Sequence, residues 1–149
     1  IFYTSVIPNL LVAGIPEAIR DADAMKIYVC NIMTQDGETE GYTVADHLEA
    51  LFAHGDRGLV NLCLANNAPM PQDVLDRYKE EGAVPLVIDK DRIDALGVEL
   101  ALRSVASTQG DYAQHDPDLL AEAVMEIYRR RTVRIYQGKR RYINENRNR

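Results

Sequence analysis

The sequence predicts an α/β fold in which three or four parallel strands are connected by helices. Two features of the chain predict it. Short apolar runs rich in β-branched residues alternate with segments whose apolar residues recur at helical spacing. The distances between successive runs are typical of strand-helix-strand units, which build parallel sheets. With 149 residues, of which 46% are hydrophobic and 27% charged, the chain has the size and composition of one globular domain.

The first strand is predicted at residues 26–31, where the run Ile-Tyr-Val-Cys follows a polar turn. After a polar loop, Thr43 is a suitable N-cap for a helix and Gly55 a suitable terminator. Four apolar residues of this helix share one face: Val44, Leu48, Leu51 and Phe52. We therefore expect a strand, a long loop and an amphipathic helix in this order.

The second strand is predicted at residues 58–65, and the Asn- and Pro-containing residues 66–69 end it. Pro71 suits the first turn of the next helix, which continues through Tyr78 and stops at Gly82. This strand and helix repeat the order of the preceding unit, as expected for a parallel sheet.

The remaining elements are two strands and a final helix. Residues 84–89 are predicted to form a short third strand, and residues 98–105 a fourth. Asp116 is a suitable N-cap, and Pro117 is favoured at the first helical position. The helix continues through Ile127, and beyond Arg131 the apolar pattern weakens.

Charge divides the chain into an acidic body and a basic tail. The net charge is -6, yet residues 128–149 contain nine Lys or Arg against the single acid Glu145. The acidic body is unsuited to gripping nucleic acid through its phosphates. The tail, in which Tyr136 and Tyr142 lie among the basic residues, permits attraction to RNA or to acidic lipid headgroups. The alternative is a solvated extension, either disordered or an extra helix.

The first residues, the apolar stretches and the cysteines indicate where the protein is located and whether the chain is part of a longer one. The longest apolar stretch, residues 6–15, is too short for the roughly 20 residues that cross a bilayer. The first residues lack the basic region of a secretory signal. Cys30 and Cys63 lie inside apolar runs, where buried reduced thiols are expected, so we predict a cytoplasmic protein. The chain lacks an initiating Met, and we expect it to be part of a longer polypeptide.

Two loops that follow strands could bind a ligand. Residues 31–43 form a connection longer than the usual span of about 2 to 6 residues, with amide, hydroxyl and carboxylate groups and two glycines. Residues 66–71 add two asparagines, which are also common turn residues. Each loop is open to both interpretations, a binding loop or an ordinary solvated connection.

The sequence offers no nucleophile motif and no metal-ligand spacing. It lacks both Gly-x-Ser-x-Gly and a phosphate loop, and no two histidines stand at helical metal-ligand spacing. We therefore predict neither a catalytic residue nor a protein-bound metal. Thr4 or Ser5 could cap the first helical run or hold a phosphate. His115 precedes the Asp116 cap, where free backbone amides favour an anion.

Several of these segments together resemble the gluconeogenesis factor (YvcK) family of the CofD-like superfamily. The most distinctive stretch is Tyr-Val-Cys-Asn-Ile-Met-Thr-Gln at residues 28–35. The matching residues are 2–12, 14–15, 17–19, 28–35, 37–39, 41–43, 46–47, 78, 81–83, 85 and 115–117. These motifs occur in the family's order, so the resemblance covers residues 2–127 and leaves out the basic tail.

The resemblance implies a Rossmann-like, three-layer fold with a mostly parallel sheet and helices on both faces. Residues 1–127 would form the C-terminal part of a CofD-like domain, incomplete without an N-terminal half that carries the glycine-rich nucleotide loop. It also implies a regulatory protein that binds nucleotide sugars of the uridine diphosphate N-acetylglucosamine type. The family is associated with bacterial cell shape, cell wall integrity and growth on gluconeogenic carbon sources.

Seven ligand-binding residues follow from the resemblance, in three groups. Thr4 and Ser5 would lie near the diphosphate. Asn31 and Thr34 would lie at the rim of the central cleft, and Tyr78 near the nucleotide sugar. The last group is the pair Gln114 and His115. The family commonly has Arg where this chain has Gln114, and Gln lacks the charge and the bidentate fork that clamp a diphosphate.

The alternative function is a metal-dependent phosphotransferase of the 2-phospho-L-lactate transferase type. Asp36, Glu38 and Glu40 could then supply ligands for Mg²⁺, which stabilises charge in phosphoryl transfer. A solvated cluster of loop acids is the competing interpretation. Apolar surface left by the missing half could also drive self-association, so we expect a homo-oligomer.

Overall fold

A computed structural model describes residues 2–109 and 112–147, with side chains as far as Val133. A π-helical turn, Phe2–Val6, begins it. The helices are α1 (Ile7–Leu10), α2 (Ile15–Asp21), α3 (Val44–Gly55), α4 (Gln72–Glu80), α5 (Lys90–Ala95) and α6 (Pro117–Arg147). The strands are β1 (Ile27–Val29), β2 (Leu62–Asn66), β3 (Glu99–Arg103), β4 (Ala106–Ser107) and β5 (Gln114–His115).

The central sheet has the order β1-β2-β3, and both of its strand pairs are parallel. Cys63 in the middle strand pairs with Tyr28 on one side and Leu100 on the other. The short strands β4 and β5 form a separate antiparallel pair in which Ala106 faces His115. The predicted α/β fold with a parallel sheet is thus confirmed.

Alternation along β2 assigns its side chains to two different cores. Cys63 and Ala65 pack with residues of α1, α3 and α5 on one face. Leu62 and Leu64 pack on the other face against α6. The sheet therefore lies between two layers of helix, which is the predicted three-layer arrangement.

Helix α3 begins where its cap residue predicts. Thr43 accepts a hydrogen bond from the Asp46 amide, and the Asp46 carboxylate accepts one from the Thr43 amide at 2.7 Å, which completes a capping box. Asp89 adds a second carboxylate from a distant segment, because its Oδ1 accepts from the Ala45 amide at 3.0 Å. Arg92 lies within ion-pairing distance of both carboxylates. Two acids thus already occupy the positive end of α3.

The prediction of a strand at residues 84–89 is wrong. Pro85 and Val87 make only isolated bridges, to Met33 and Thr43 respectively. Pro85 has no amide hydrogen to donate to a ladder, so a continuous pairing is interrupted at that point. The segment crosses the loop that follows β1 instead of joining the sheet. Helix α5 then follows directly, and the predicted fourth strand is the third strand of the sheet, β3.

The basic tail, the two cysteines and the apolar helices can each be compared with what the sequence predicted. The predicted basic tail begins within α6, which continues to Arg147, whereas its basic side chains from Arg134 onward lie outside the described ones. Cys30 and Cys63 are buried free thiols, as predicted. No single helix of the described residues is long and apolar enough to cross a membrane. The pair Phe2–Leu10 and Ile15–Asp21, bent by 78°, meets that requirement only jointly, by length and composition.

Candidate functional site

A cleft of about 440 Å³ opens where the parallel strands end at their carboxyl side. Three segments line it: the loop that follows β1, the end of α4, and the chain that enters β5. Its polar and aromatic lining residues are Asn31, Thr34, Gln35, Asp36, Tyr78, Glu81, Tyr112 and His115. Parallel sheets bind their ligands at this edge, because the connecting loops converge there.

The floor of the cleft is fixed by Thr34, which is only 2% exposed. Its amide donates to the Val84 carbonyl at 2.8 Å, and its Oγ1 accepts from the Val84 amide at 2.9 Å. These two bonds attach the β1 loop to the segment that follows α4. Thr34 therefore shapes the cleft, with its side-chain oxygen already bonded to the protein.

Asn31 is one of two amide side chains that line the cleft, the other being Gln35. It follows β1, is half-buried and lines the cleft. Its side chain forms no hydrogen bond with the described residues. An amide carries both donors and acceptors, so Asn31 can contact hydroxyl, carbonyl or ring nitrogen groups.

Tyr78 and Tyr112 form an aromatic wall. Their ring centroids are 5.7 Å apart in an edge-to-face arrangement. The Tyr78 hydroxyl donates to the Ala113 carbonyl at 3.3 Å and accepts from the Ala113 amide at 3.1 Å, which fixes the segment that enters β5. Burial and the nearby Glu81 carboxylate raise the pKa of Tyr78, so its hydroxyl stays protonated near neutral pH. Tyr112 donates to Glu81 Oε1 at 2.7 Å.

His115 lies at the back of the cleft, on β5. Its Nε2 is buried and has no hydrogen-bond partner among the described residues. Burial lowers the pKa of His115, and the imidazole is therefore neutral near pH 7. A neutral imidazole can donate from one nitrogen and accept with the other, so it can bond to a hydroxyl-bearing ligand.

Three of the seven predicted residues lie outside this cleft. Thr4 lies in a neighbouring groove that shares Gln35 and Asp36 with the cleft, and its Oγ1 donates to Glu38 at 3.1 Å. Ser5 is exposed, and Gln114 is exposed on β5. The structure thus brings Asn31, Thr34, Tyr78 and His115 together.

The three loop acids considered as metal ligands point to different places. Glu38 binds the start of the chain, because its two carboxylate oxygens accept from the Phe2 and Thr4 amides, each at 3.0 Å. Glu40 lines a separate surface depression beside Tyr42, and Asp36 alone lines the cleft. Within the described part of the chain, no group of three or more His, Cys, Asp or Glu is placed to hold a metal ion.

Sequence reasoning missed Glu81 and Tyr112 as parts of this cleft. It placed Asp36 in a candidate binding loop and singled it out by name only as a metal ligand. One local signal was available at Gly82, which follows Glu81. Its φ is +74°, and a Cβ there would lie 3.2 Å from Asp36 Oδ1, so a side chain would press on the Asp36 carboxylate. A glycine at this helix end therefore permits close approach of the two segments.

Comparison with known proteins identifies the family. The family model described as 2-phospho-L-lactate transferase CofD matches residues 2–106. The chain belongs to the CofD family. The match covers β1, β2, β3 and the loop that carries Asn31 and Thr34. The resemblance found in the sequence motifs is therefore confirmed.

The similar relatives include proteins named gluconeogenesis factor. The one from Halalkalibacterium halodurans is 43% identical over 124 residues, which cover 83% of this chain and 38% of the relative. The one from Bacillus subtilis is 37% identical over 125 residues, covering 84% of this chain and 39% of the relative. This chain thus spans about two fifths of the length of these relatives.

A solved structure shares the fold. The crystal structure of a Bacillus halodurans protein of the UPF0052 family superposes with a TM-score of 0.80 at 42% identity. The superposition covers 83% of this chain and 40% of that one. The α/β architecture described above therefore corresponds to about two fifths of that larger chain.

Proposed function

We propose that the cleft binds a nucleotide sugar of the uridine diphosphate N-acetylglucosamine type. One observation carries the proposal: Asn31, Thr34, Tyr78 and His115, chosen from sequence motifs alone, lie on the wall of one cleft although they come from three distant segments. The cleft's volume of about 440 Å³ falls in the usual range of small-molecule sites, roughly 300 to 1,000 Å³.

The chemistry of the wall supports a ligand with hydroxyl groups and a planar or cyclic body. Asn31 offers an amide that bonds to none of the described residues, and His115 offers a neutral imidazole whose buried Nε2 has no partner among them. Tyr78 and Tyr112 add aromatic surface. Such a combination of a few polar groups with aromatic surface is typical of sites for small polar ligands.

We infer that ligand occupancy regulates other proteins. The function would be linked to gluconeogenic growth, to bacterial cell shape and to cell wall integrity. The name gluconeogenesis factor, carried by two relatives, supports the first of these links. The competing proposal is a metal-dependent phosphotransferase. Membership in the family described as 2-phospho-L-lactate transferase CofD supports its transferase part.

Titration calorimetry of the natural polypeptide that contains these residues tests the proposal. Uridine diphosphate N-acetylglucosamine is added with and without MgCl₂, and the ligand's phosphorus spectrum is recorded afterwards. We expect saturable binding and an unchanged ligand. Consumption of the ligand that depends on Mg²⁺ would favour the phosphotransferase, and absence of binding would contradict both functions for this cleft.

A pair of amide variants locates the binding. Asn31→Ala removes one cleft amide and is expected to weaken binding about fivefold, since a lost hydrogen bond costs on the order of 1 kcal/mol. Gln72→Ala removes an amide from the exposed first turn of α4, outside the cleft, and is the matched control. Equal affinities of the two variants would place the ligand elsewhere.

A further inference from the structure

The described walls of the cleft carry negative charge and no fixed positive charge. Asp36 and Glu81 line it, and none of its described lining residues is Lys or Arg. The Asp36 carboxylate makes no hydrogen bond or ion pair with the described residues. Diphosphates are held in proteins by Arg, Lys or free amides at helix N-termini, so these walls lack what a diphosphate requires.

The start of α3 does not supply the missing positive group. Its first amides already have acceptors within this chain. The Ala45 amide donates to the Asp89 carboxylate, and the Asp46 amide donates to Thr43 Oγ1. The Val44 amide donates to the Val87 carbonyl. The neighbouring groove, which contains Thr4, is lined by Asp36 and Glu38. The acids along this edge repel a diphosphate from the described walls on both sides of Asp36.

The same groups suit a neutral, hydroxyl-rich ring. Ionised carboxylates accept strong hydrogen bonds from hydroxyl groups. Glu81 Oε1 already holds the Tyr112 hydroxyl at 2.7 Å, which leaves Oε2 to accept from a ligand. Tyr112 lines the cleft and is 47% exposed, so part of its side chain can contact a ligand. Aromatic faces carry partial negative charge and attract the partially positive C–H groups on the face of a sugar ring.

We propose that the cleft receives the hexose of the nucleotide sugar, while the diphosphate lies beyond its described walls. Asp36 and Glu81 accept hydrogen bonds from hexose hydroxyls, and Tyr112 packs against the C–H face of the ring. This inference rests on the proposed function, since it assigns one end of the same ligand to the cleft. It makes Asp36, Glu81 and Tyr112 the residues that determine sugar specificity.

The test compares two ligands and two charge-neutralising variants. The natural polypeptide is titrated with uridine diphosphate N-acetylglucosamine and, separately, with uridine diphosphate. Asp36→Asn and Glu81→Gln keep the size of each side chain, and the amide introduced by Glu81→Gln retains an oxygen for the Tyr112 hydroxyl. Glu80→Gln, on the neighbouring exposed residue of α4, is the matched control. Thermal unfolding confirms that all variants fold.

We expect each cleft variant to bind the nucleotide sugar about tenfold more weakly, with uridine diphosphate affinity unchanged or higher. Tighter binding of both ligands would overturn the inference, because it would place the diphosphate beside the acids. Unchanged affinity for both ligands in both variants would overturn it as well. If the unaltered protein binds neither ligand, the proposed function itself fails, and the hexose assignment fails with it.

A substitution in the aromatic wall tests the position of the hexose independently. Tyr112→Ala removes the exposed ring, and Tyr128→Ala removes an exposed tyrosine of α6 outside the cleft. We expect Tyr112→Ala to reduce affinity for the nucleotide sugar about tenfold without changing affinity for uridine diphosphate. Equal losses for the two ligands would contradict the assignment of Tyr112 to the hexose.

Discussion

Thr34 and Val84 are joined by two hydrogen bonds, one from the Thr34 amide to the Val84 carbonyl and one from the Val84 amide to Thr34 Oγ1. They are 50 residues apart in sequence, and this pairing fixes the floor of the cleft. It couples the loop after β1 to the segment after α4. The shape of the site therefore depends on a threonine hydroxyl that binds the backbone amide of Val84.

Thr34→Val keeps the shape of the side chain and removes the hydroxyl. We expect the free energy of unfolding to fall by about 1 to 3 kcal/mol, because the Val84 amide loses its acceptor. Urea denaturation of the natural polypeptide measures the change. Thr132→Val, on an exposed face of α6, is the control and should have a smaller effect. Equal losses in the two variants would contradict the proposed role of Thr34.

Gly82→Ala tests the close approach of α4 to the β1 loop. The positive φ alone should cost about 1 kcal/mol for any residue with a Cβ, and the contact with Asp36 adds to it. Gly97→Ala is a matched control, since Gly97 has φ +75° and its Cβ would meet nothing within 4 Å. We expect Gly82→Ala to be the more destabilising and to weaken ligand binding. Equal thermal stability and unchanged affinity would contradict this expectation.

The stability of the protein should fall as the pH is lowered through 6.5. His47 is fully buried, its Nδ1 lies 2.9 Å from the Thr43 carbonyl, and burial lowers its pKa. The unfolded chain, with an ordinary histidine pKa of about 6.5, then takes up a proton before the folded chain does. The free energy of unfolding is therefore highest above pH 6.5. It decreases below that pH by up to about 1.4 kcal/mol per pH unit for each such histidine.

Urea denaturation at pH 7.5, 6.5 and 5.5 measures this slope. His47→Gln should reduce the pH dependence relative to the unaltered protein. His115, whose pKa burial also lowers, accounts for a residual slope. A wild-type stability that is flat between pH 7.5 and 5.5 would contradict the prediction.

Tyr78→Phe separates the hydroxyl of Tyr78 from its ring. The Ala113 amide loses its acceptor, so the segment that enters β5 should become less stable locally. We expect ligand affinity to fall about fivefold, equivalent to about 1 kcal/mol for one hydrogen bond. Tyr128→Phe is the control, because Tyr128 is exposed on α6. Tyr78→Phe binding as tightly as the unaltered protein would show that the hydroxyl does not organise the cleft.

Local signals predicted the elements that begin and end with characteristic residues. Thr43 and Gly55 bound α3 in the sequence and in the structure, and Pro117 opens α6. These positions depend on backbone chemistry within one turn of helix, so neighbouring residues determine them. The parallel sheet followed from the alternation of such elements.

The segment at residues 84–89 shows where local pattern fails. Its valines and isoleucine favour a strand, yet the hydrogen bonds of residues 84–87 go to Ile32, Thr34 and Val44, which no local pattern reveals. Helix α5 was missed for a related reason, because its six residues are too few to show helical periodicity.

The cleft was predictable in part. Asn31, Tyr78 and His115 came from motifs, and all three line it. Glu81 and Tyr112 were not found, because their contribution depends on α4 and the chain before β5 meeting in space. Long-range contacts of this kind are set by packing and leave little trace in local sequence.

Hydrogen exchange with and without uridine diphosphate N-acetylglucosamine tests most directly whether the cleft is the binding site. The natural polypeptide is labelled in both states, and peptides covering residues 30–36, 78–83 and 112–116 are compared with the rest of the chain. We predict slower exchange in these three segments when the ligand is bound, with little change in α2 or α6. Protection that spares all three segments, or that appears only elsewhere in the polypeptide, would contradict the assignment.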